Sequence, residues 1–532
     1  MNNIRVRHVL YFSIAAYAVI VFSMVLKLSQ GIGWDPAINM RMVYNASKHI
    51  PFNYLSHPNP ANLNLDELEF VAWWTPAQYA LPMLVQNLLN VNISIAIKIV
   101  TATSLLFSGW GIFKLFSLLC KSKDEDIDDT SANLALMLVL FTLLQPFFWR
   151  SLLEYDGGVV LLNTYCPWFF YGVAKIKRVN GYSLAALLLA AFVGFFLKAA
   201  FTSIFAGALF YLFIRDFSRQ GGSLKMYDLK KGFFLAVKLA ALLLVYIVAI
   251  KSAFLNHNNN IGTSSLGIRL QPRVFAFPVD APVLGLFMAF SLNKTLQWLI
   301  ALIVIVPFYY LIFFNKKISL SHRLMLLGFV PATVFFYMLL YFIDVDVSYE
   351  LRHFIPVTIL ITPAFFIGVR QLPFGKVLMY GVICLFSCLN IYQFINRART
   401  TAPEGPSILY SGLQLSYPAD LVEKIHSLDN QNKQCRDIFY MQSGAPSLAL
   451  EIKNNRVLLE DNYINFHFLN AQRFKPKLYF GRNRAALYVV YSNQNFKQDS
   501  TKFLTRFGQY TKFQKIFQTK GYVILKGIPA GY

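Results

Sequence analysis

Long apolar runs alternate with short polar segments along most of the chain. A helix needs roughly 20 apolar residues to cross a hydrocarbon layer of about 30 Å. Runs of about that length fall near 9–28, 92–118, 132–149, 157–174, 182–198, 200–214, 232–250, 295–314, 324–342, 354–369 and 376–393. The pattern predicts about eleven transmembrane helices. The first run follows Arg5 and Arg7, exceeds a signal-peptide core in length and ends in Gln30-Gly-Ile-Gly-Trp-Asp35, so it reads as an uncleaved first span. Two polar regions interrupt the pattern, a loop at 29–91 and a tail from 397 to 532. In the tail, 437–441, 456–460, 486–491 and 521–525 read as strands. Residues 445–454 and 497–507 have helical spacing. The expected fold class is a polytopic α-helical membrane protein, with a transmembrane domain over 1–396 and a small extracytoplasmic α/β domain over 397–532.

Composition strengthens the membrane assignment. Of 532 residues, 56% are hydrophobic and only 14% charged, with 50 Phe and 29 Tyr. A typical soluble domain is about 25% charged. The net charge of +23 points to nucleic acid in a soluble protein, but in a membrane protein it speaks first of topology and anionic lipid. With the N-terminus inside, the short inner segments and the first eight residues carry about 17 Lys/Arg, against about 9 in the longer outer loops. An odd number of spans then puts the tail outside. The expected location is a bacterial-type inner (plasma) membrane, with a cytoplasmic N-terminus and a periplasmic or extracellular C-terminal domain. Five Cys do not make a disulfide framework, and the helical pair Cys384/Cys388 reads as packing.

Candidate chemistry gathers on the outer side. Asp35, between Trp34 and Pro36 at the mouth of the first span, is placed to take a proton from an incoming hydroxyl or amine; its plain alternative is a helix N-cap. Asp66, Glu67 and Glu69 can supply a second carboxylate or a metal ligand, or be a solvated cluster. His49 and His57 share the loop without the spacing of a closed zinc site. Ionisable groups at span ends are costly and mark function. Arg150, Glu154 and Asp156 lie between the third and fourth spans, and Lys198 between the fifth and sixth. Arg269 and Arg273 fall in the 251–294 loop, and Arg352 and His353 at the entry to the tenth span. Singly, such cations snorkel to headgroups. Together on one side, they can hold a phosphate beside carboxylates that act as base. Lys98, Lys114 and Lys238 read as snorkelling residues. No Walker A, GxGxxG or Gly-x-Ser-x-Gly pattern supports soluble nucleotide chemistry or acyl hydrolysis.

The layout resembles the GT-C glycosyltransferases, in particular the bacterial branch of protein O-mannosyltransferases and lipid A aminoarabinose transferases. The resemblance rests on the first outer loop opening with Asp35, the segment Trp73-Trp-Thr-Pro-Ala-Gln-Tyr-Ala-Leu81, Lys198 in Gly-Phe-Phe-Leu-Lys, and Arg352-His-Phe-Ile-Pro356. It covers 9–393 in layout, and the tail resembles the periplasmic α/β domain that many relatives carry. It implies sugar transfer, with inversion, from a polyprenyl-phosphate carrier to a glycan, lipid or protein acceptor at the outer membrane face. Asp35 matches the loop-one Asp that acts as base or orients the acceptor, and Asp156 the carboxylate before the fourth span. Lys198 and Arg352 match positions that contact the carrier phosphate, with His353, Arg269 and Arg273 as further candidates. Lys98 falls where relatives place an Arg. Relatives carry a charged residue directly before the loop-one Pro, where Trp74-Thr75 stands here. Glu69 or Glu67 is then left as the second carboxylate, and a divalent metal as an optional cofactor. A flippase for lipid-linked sugars and a non-catalytic envelope assembly protein remain the alternatives, and no nucleic-acid partner is expected.

Overall fold

The computed structural model describes all residues except 1–2, 28–29, 48–49, 60–61, 72–74, 121–128, 220–225, 255–267, 288–307, 311, 344–346, 348, 401–416, 432–436, 442–446, 460–484, 494–506, 509 and 530–532. The chain begins with α1 (Asn3–Lys27), and the first polar region then folds as β1 (Gly31–Ile32), α2 (Trp34–Ser47), the hairpin β2 (Tyr54–Asn59) and β3 (Asn62–Phe70), and α3 (Ala77–Leu89). Helices α4 (Ile93–Leu119), α5 (Asp129–Leu143) and α6 (Pro146–Leu153) follow, then the two-residue strand β4 (Glu154–Tyr155). Next come α7 (Gly158–Lys175), α8 (Gly181–Leu197), α9 (Phe201–Arg219), α10 (Met226–Ala253) and α11 (Pro272–Leu284). The bundle ends with α12 (Leu320–Phe342), α13 (Ile355–Val369) and α14 (Gly375–Thr400).

Helices occupy ten of the eleven expected spans, and the run at 295–314 lies mostly outside the described residues. Among the described helices, α4, α10, α12 and α14 are long and apolar enough to cross a membrane. The pair α5–α6, bent by 42°, can make a fifth, while the stretch Arg7–Ser23 of α1 and the helices α8 and α13 are apolar but shorter. The bend follows from Pro146, which has no N–H to continue α5 and instead starts α6.

The tail opens with α15 (Ala419–Gln431) and carries a five-stranded sheet in the order β6-β5-β7-β9-β8. Its strands are β5 (Ile438–Met441), β6 (Arg456–Leu459), β7 (Leu487–Ser492), β8 (Tyr510–Gln518) and β9 (Tyr522–Pro529). β5 pairs parallel with β6 and β7, and β9 antiparallel with β7 and β8. The four expected strand segments are all strands, whereas β8 was not anticipated. Of the helix expected over 445–454, the described part holds only a 3-10 turn, Leu448–Glu451. The buried Asp429 carboxylate holds the following loop by accepting the backbone N–H groups of Lys453, Asn454 and Asn455 at 3.0–3.2 Å. The helix expected over 497–507 lies mostly outside the described residues.

The tail docks on the first polar region through buried polar groups. From α2, Arg41 Nη1 donates to the carbonyls of Ala449 (3.0 Å) and Ile452 (2.6 Å), and Tyr44 Oη to that of Leu450 (3.0 Å). Burial pushes the Arg41 guanidinium down to about 10. From β6, Arg456 Nη1 donates to the Leu63 carbonyl (2.9 Å) and to Asp66 Oδ1 (3.0 Å) at the hairpin.

Candidate functional site

The site grows from a small parallel pairing. Gly31 pairs with Glu154 and Ile32 with Tyr155, and Gly33 N–H donates to the Tyr155 carbonyl at 2.9 Å. This pairing sets the start of α2 beside the start of α7, although more than a hundred residues separate them. The Ala37 N–H donates to Gly33 O, so α2 is capped at Gly33 and Asp35 falls in its first turn rather than at the N-cap. A carboxylate is favoured there by the partial positive charge of the helix start. The Asp35 side chain lies outside the described residues.

Asp156 follows β4 directly, and Gly157 lets the chain turn into α7. Gly157 has φ +40°, and a Cβ there would stand 2.8 Å from Gln78 and 3.4 Å from Pro36. Any side chain would therefore be strained and would press on Gln78 of α3. The buried Tyr155 donates its hydroxyl to the Gln78 carbonyl at 2.7 Å, tying α3 to the same junction.

Arg352 reaches this junction from a 3-10 turn, Leu351–His353. Its Nη1 donates to Asp156 Oδ1 at 3.2 Å and Oδ2 at 3.4 Å, and its Nε forms an ion pair with Glu350. The Arg352 and Asp156 side chains are 29% and 33% exposed, so the pair is held in place yet open to solvent or ligand. The turn is braced by aromatic packing: the His353 ring stacks on Tyr337 at 5.2 Å, and Arg273 lies 4.4 Å over Tyr349. Both residues thus support the Arg352 segment.

Lys198 caps the C-terminus of α8 in an extended conformation, its N–H donating to Gly194 O (3.0 Å) and its carbonyl accepting from Phe201 N–H (2.9 Å). Gly194 is needed because the Phe201 ring lies where a side chain would start, 2.3 Å from an ideal Cβ. The Lys198 stem runs over Gly158, its Cδ 3.4 Å from the position of a Cβ there. The expected Pro-containing segment contributes as well, since Thr75 Oγ1 donates to the Leu197 carbonyl at 3.0 Å. Trp73 and Trp74 lie outside the described residues.

The junction therefore brings together Asp156, Arg352, Lys198 and the backbone of Asp35, with His353 and Arg273 as supports. Other sequence candidates make other contacts. Arg269 is exposed, and its backbone N–H donates to Phe342 O. Lys98 is half-buried in α4, one turn before Thr101, whose hydroxyl accepts from Gln30 Nε2 at 3.1 Å. Glu67 and Glu69 are not a solvated cluster. They sit on β3 on either side of His57, with Glu67 Oε1 3.7 Å from Nδ1 and Glu69 Oε2 3.4 Å from Nε2. All three are nearly inaccessible, so these acids are engaged inside the hairpin. Burial pushes the Glu67 carboxyl up to about 7. Burial lowers the His57 pKa, but the neighbouring carboxylates outweigh it and leave the imidazole above its usual value. Among the described residues, no group of three or more His, Cys, Asp or Glu is arranged to hold a metal.

Sequence reading missed Glu350, Tyr349 and Gln78. Glu350 was visible in Ser348-Tyr-Glu-Leu-Arg352, where an acid two residues before an Arg outside a helix can fold back onto it. Gln78 carried no such signal, since its role comes from contacts distant in sequence, with Gly157 and with the Tyr155 hydroxyl.

No family model matches the sequence, and no curated protein sequence matches it. Among solved structures, the chain is similar to ArnT from Cupriavidus metallidurans bound to undecaprenyl phosphate, with a TM-score of 0.55 and 12% identity over 97% of both chains. The apo state of the same protein is similar at a TM-score of 0.53 and 11% identity over 96% of each chain. The archaeal oligosaccharyltransferase AglB from Archaeoglobus fulgidus, in complex with an inhibitory peptide and a dolichol-phosphate, aligns over 97% of this chain and 74% of its own, at 10% identity and a TM-score of 0.46. ArnT and AglB are both of the GT-C superfamily. The chain has the fold of ArnT over nearly its whole length: a helical bundle followed by a C-terminal sheet domain.

Proposed function

We propose that the chain is an integral-membrane glycosyltransferase that moves a sugar, with inversion, from a polyprenyl-phosphate donor to a glycan, lipid or protein acceptor at the outer face of the inner membrane. In this reading 1–396 is the transferase domain and 397–532 an extracytoplasmic domain. The supporting observation is the junction of Asp156, Arg352 and Lys198 beside the first turn of α2, which carries Asp35. Its fold is also that of ArnT, solved with undecaprenyl phosphate bound.

The chemistry fits those groups. The bond between the sugar C1 and the carrier phosphate oxygen breaks, and its electron pair stays on the phosphate. Arg352 and Lys198 stabilise that growing charge in a site already built to hold them. The acceptor oxygen or nitrogen attacks C1 from the opposite face and gives up its proton to Asp35. Asp156 fixes the Arg352 guanidinium by its ion pair.

Purified protein with a radiolabelled polyprenyl-phosphate sugar and envelope acceptors tests the assignment. Transfer should be lost in both Asp35→Asn and Lys198→Ala. Wild-type transfer in Asp35→Asn would sink the base role. Donor movement across vesicles without transfer to any acceptor would favour the flippase.

A further inference from the structure

The end of α7 away from the candidate site has its own amphipathic cavity. Helix α7 has 18 residues, so at about 1.5 Å per residue its two ends are about 27 Å apart. A groove of about 310 Å³ runs between α7 and α8 near the far end, with Tyr165, Trp168 and Phe169 on one side and Ala186, Leu187 and Ala190 on the other. The polar atoms of its aromatic wall are already satisfied. Tyr165 Oη donates to the Ala190 carbonyl (2.8 Å) and Trp168 Nε1 to that of Phe107 (2.9 Å), so the wall presents apolar faces.

Ile176 and Ser183 line this groove and also a second, open cavity formed with Lys177, Arg178, Asn180 and Tyr182. The apolar groove and the basic mouth therefore adjoin. The mouth is preorganised: the Asn180 side chain accepts from Ser183 N–H, and Ser183 Oγ accepts from Asn180 N–H, both at 2.9 Å. Its lining residues supply two exposed cations and no acid, and Lys175 lies two residues before Lys177. Tyr182, 90% exposed, has the character of an interfacial aromatic.

We propose that this is a binding site for an anionic phospholipid of the leaflet opposite the candidate transfer site, with an acyl chain in the groove and the phosphate at Lys177 and Arg178. A purely apolar ligand would leave the mouth unused, and a soluble anion would leave the groove unused. The site is independent of the glycosyltransferase reading, because it shares no residue with the Asp156 junction.

Native mass spectrometry of the delipidated full-length protein, titrated with phosphatidylglycerol or phosphatidylcholine, tests it. One phosphatidylglycerol should be retained in preference to phosphatidylcholine. Lys177→Gln with Arg178→Gln should weaken that binding about 30-fold, from roughly a fivefold contribution per cation. Phosphatidylcholine binding should be unchanged by it. Gly172→Leu should abolish the preference by filling the groove, which Gly172 lines and where a Cβ meets nothing within 4 Å. Thermal melting of both variants should match the wild type, showing that they fold. Equal retention of the two lipids, or phosphatidylglycerol binding that survives both variants, would overturn the proposal. So would preferential occupation by polyprenyl phosphate lost in the same variants, which would make the groove a carrier site.

Discussion

Two charged junctions meet the first polar region, and they are built in opposite ways. At the α2–α7 junction, Arg352 and Asp156 are about a third exposed and braced by packing around them. At the hairpin, Arg456 and Asp66 are 5% and 9% exposed, and His57 and Glu67 are more enclosed still. Buried charges are tolerated only when their hydrogen bonds are complete, and breaking one is then expensive. Half-exposed charges contribute little to stability and remain open to a ligand. The contrast separates charges that join the tail to the loop from charges available for chemistry, a distinction that sequence position alone does not make.

The comparison breaks if the two junctions respond alike. Arg456→Ala should cost the most stability, up to about 3 kcal/mol, because it removes the buried guanidinium that binds the Leu63 carbonyl and the Asp66 carboxylate. Hydrogen exchange should show the loss in both the hairpin and β6. Arg352→Ala should do the reverse: transfer falls by roughly 10²–10³, about 2.7–4 kcal/mol in the barrier. Its melting temperature should hardly move, since an exposed pair is worth about 0–1 kcal/mol. Gly157→Ala should lie between, losing about 1–3 kcal/mol from strain at φ +40° together with a drop in transfer, because the added methyl presses on Gln78 and shifts the turn that carries Asp156.

The smallest effect concerns pH. A Glu raised from its usual value to about 7 binds more protons in the folded hairpin, so its contribution falls as pH rises from about 4.5 through 7. A raised His57 acts in the same direction: its stabilisation is complete below its unfolded pKa of about 6.5 and is lost as pH rises through the higher folded value. Hairpin stability measured by hydrogen exchange should therefore decline from mildly acidic to alkaline pH. Glu67→Gln should flatten the decline, gaining on the order of 1 kcal/mol above about pH 8 and little below about pH 5.

Much of the bundle was legible because a spanning helix announces itself by length and apolarity. The strands at 438–441, 456–459 and 487–492 were equally plain, as compact apolar runs. The hairpin was not, because the partners of Glu67 and Glu69 lie across a strand pair, and the sequence Asp-Glu-Leu-Glu looks like solvated loop until His57 is placed opposite. The β1–β4 pairing was invisible for a different reason: two residues carry too little pattern to predict a contact between 31 and 155. For the site, the sequence offered Asp156, Lys198 and Arg352 as separate span-end charges. What joined them was Gly157 and Gly158, whose missing side chains admit Gln78, Pro36 and the Lys198 stem.

The grip of Arg352 on two carboxylates bears on how tightly it can hold a third anion. Asp156 engages the guanidinium through Nη1 and Glu350 through Nε. A phosphate that binds at Arg352 therefore shares one cation with two carboxylates, and their charge is set against its affinity. Such a site holds its anion firmly enough to place it and loosely enough to let it go.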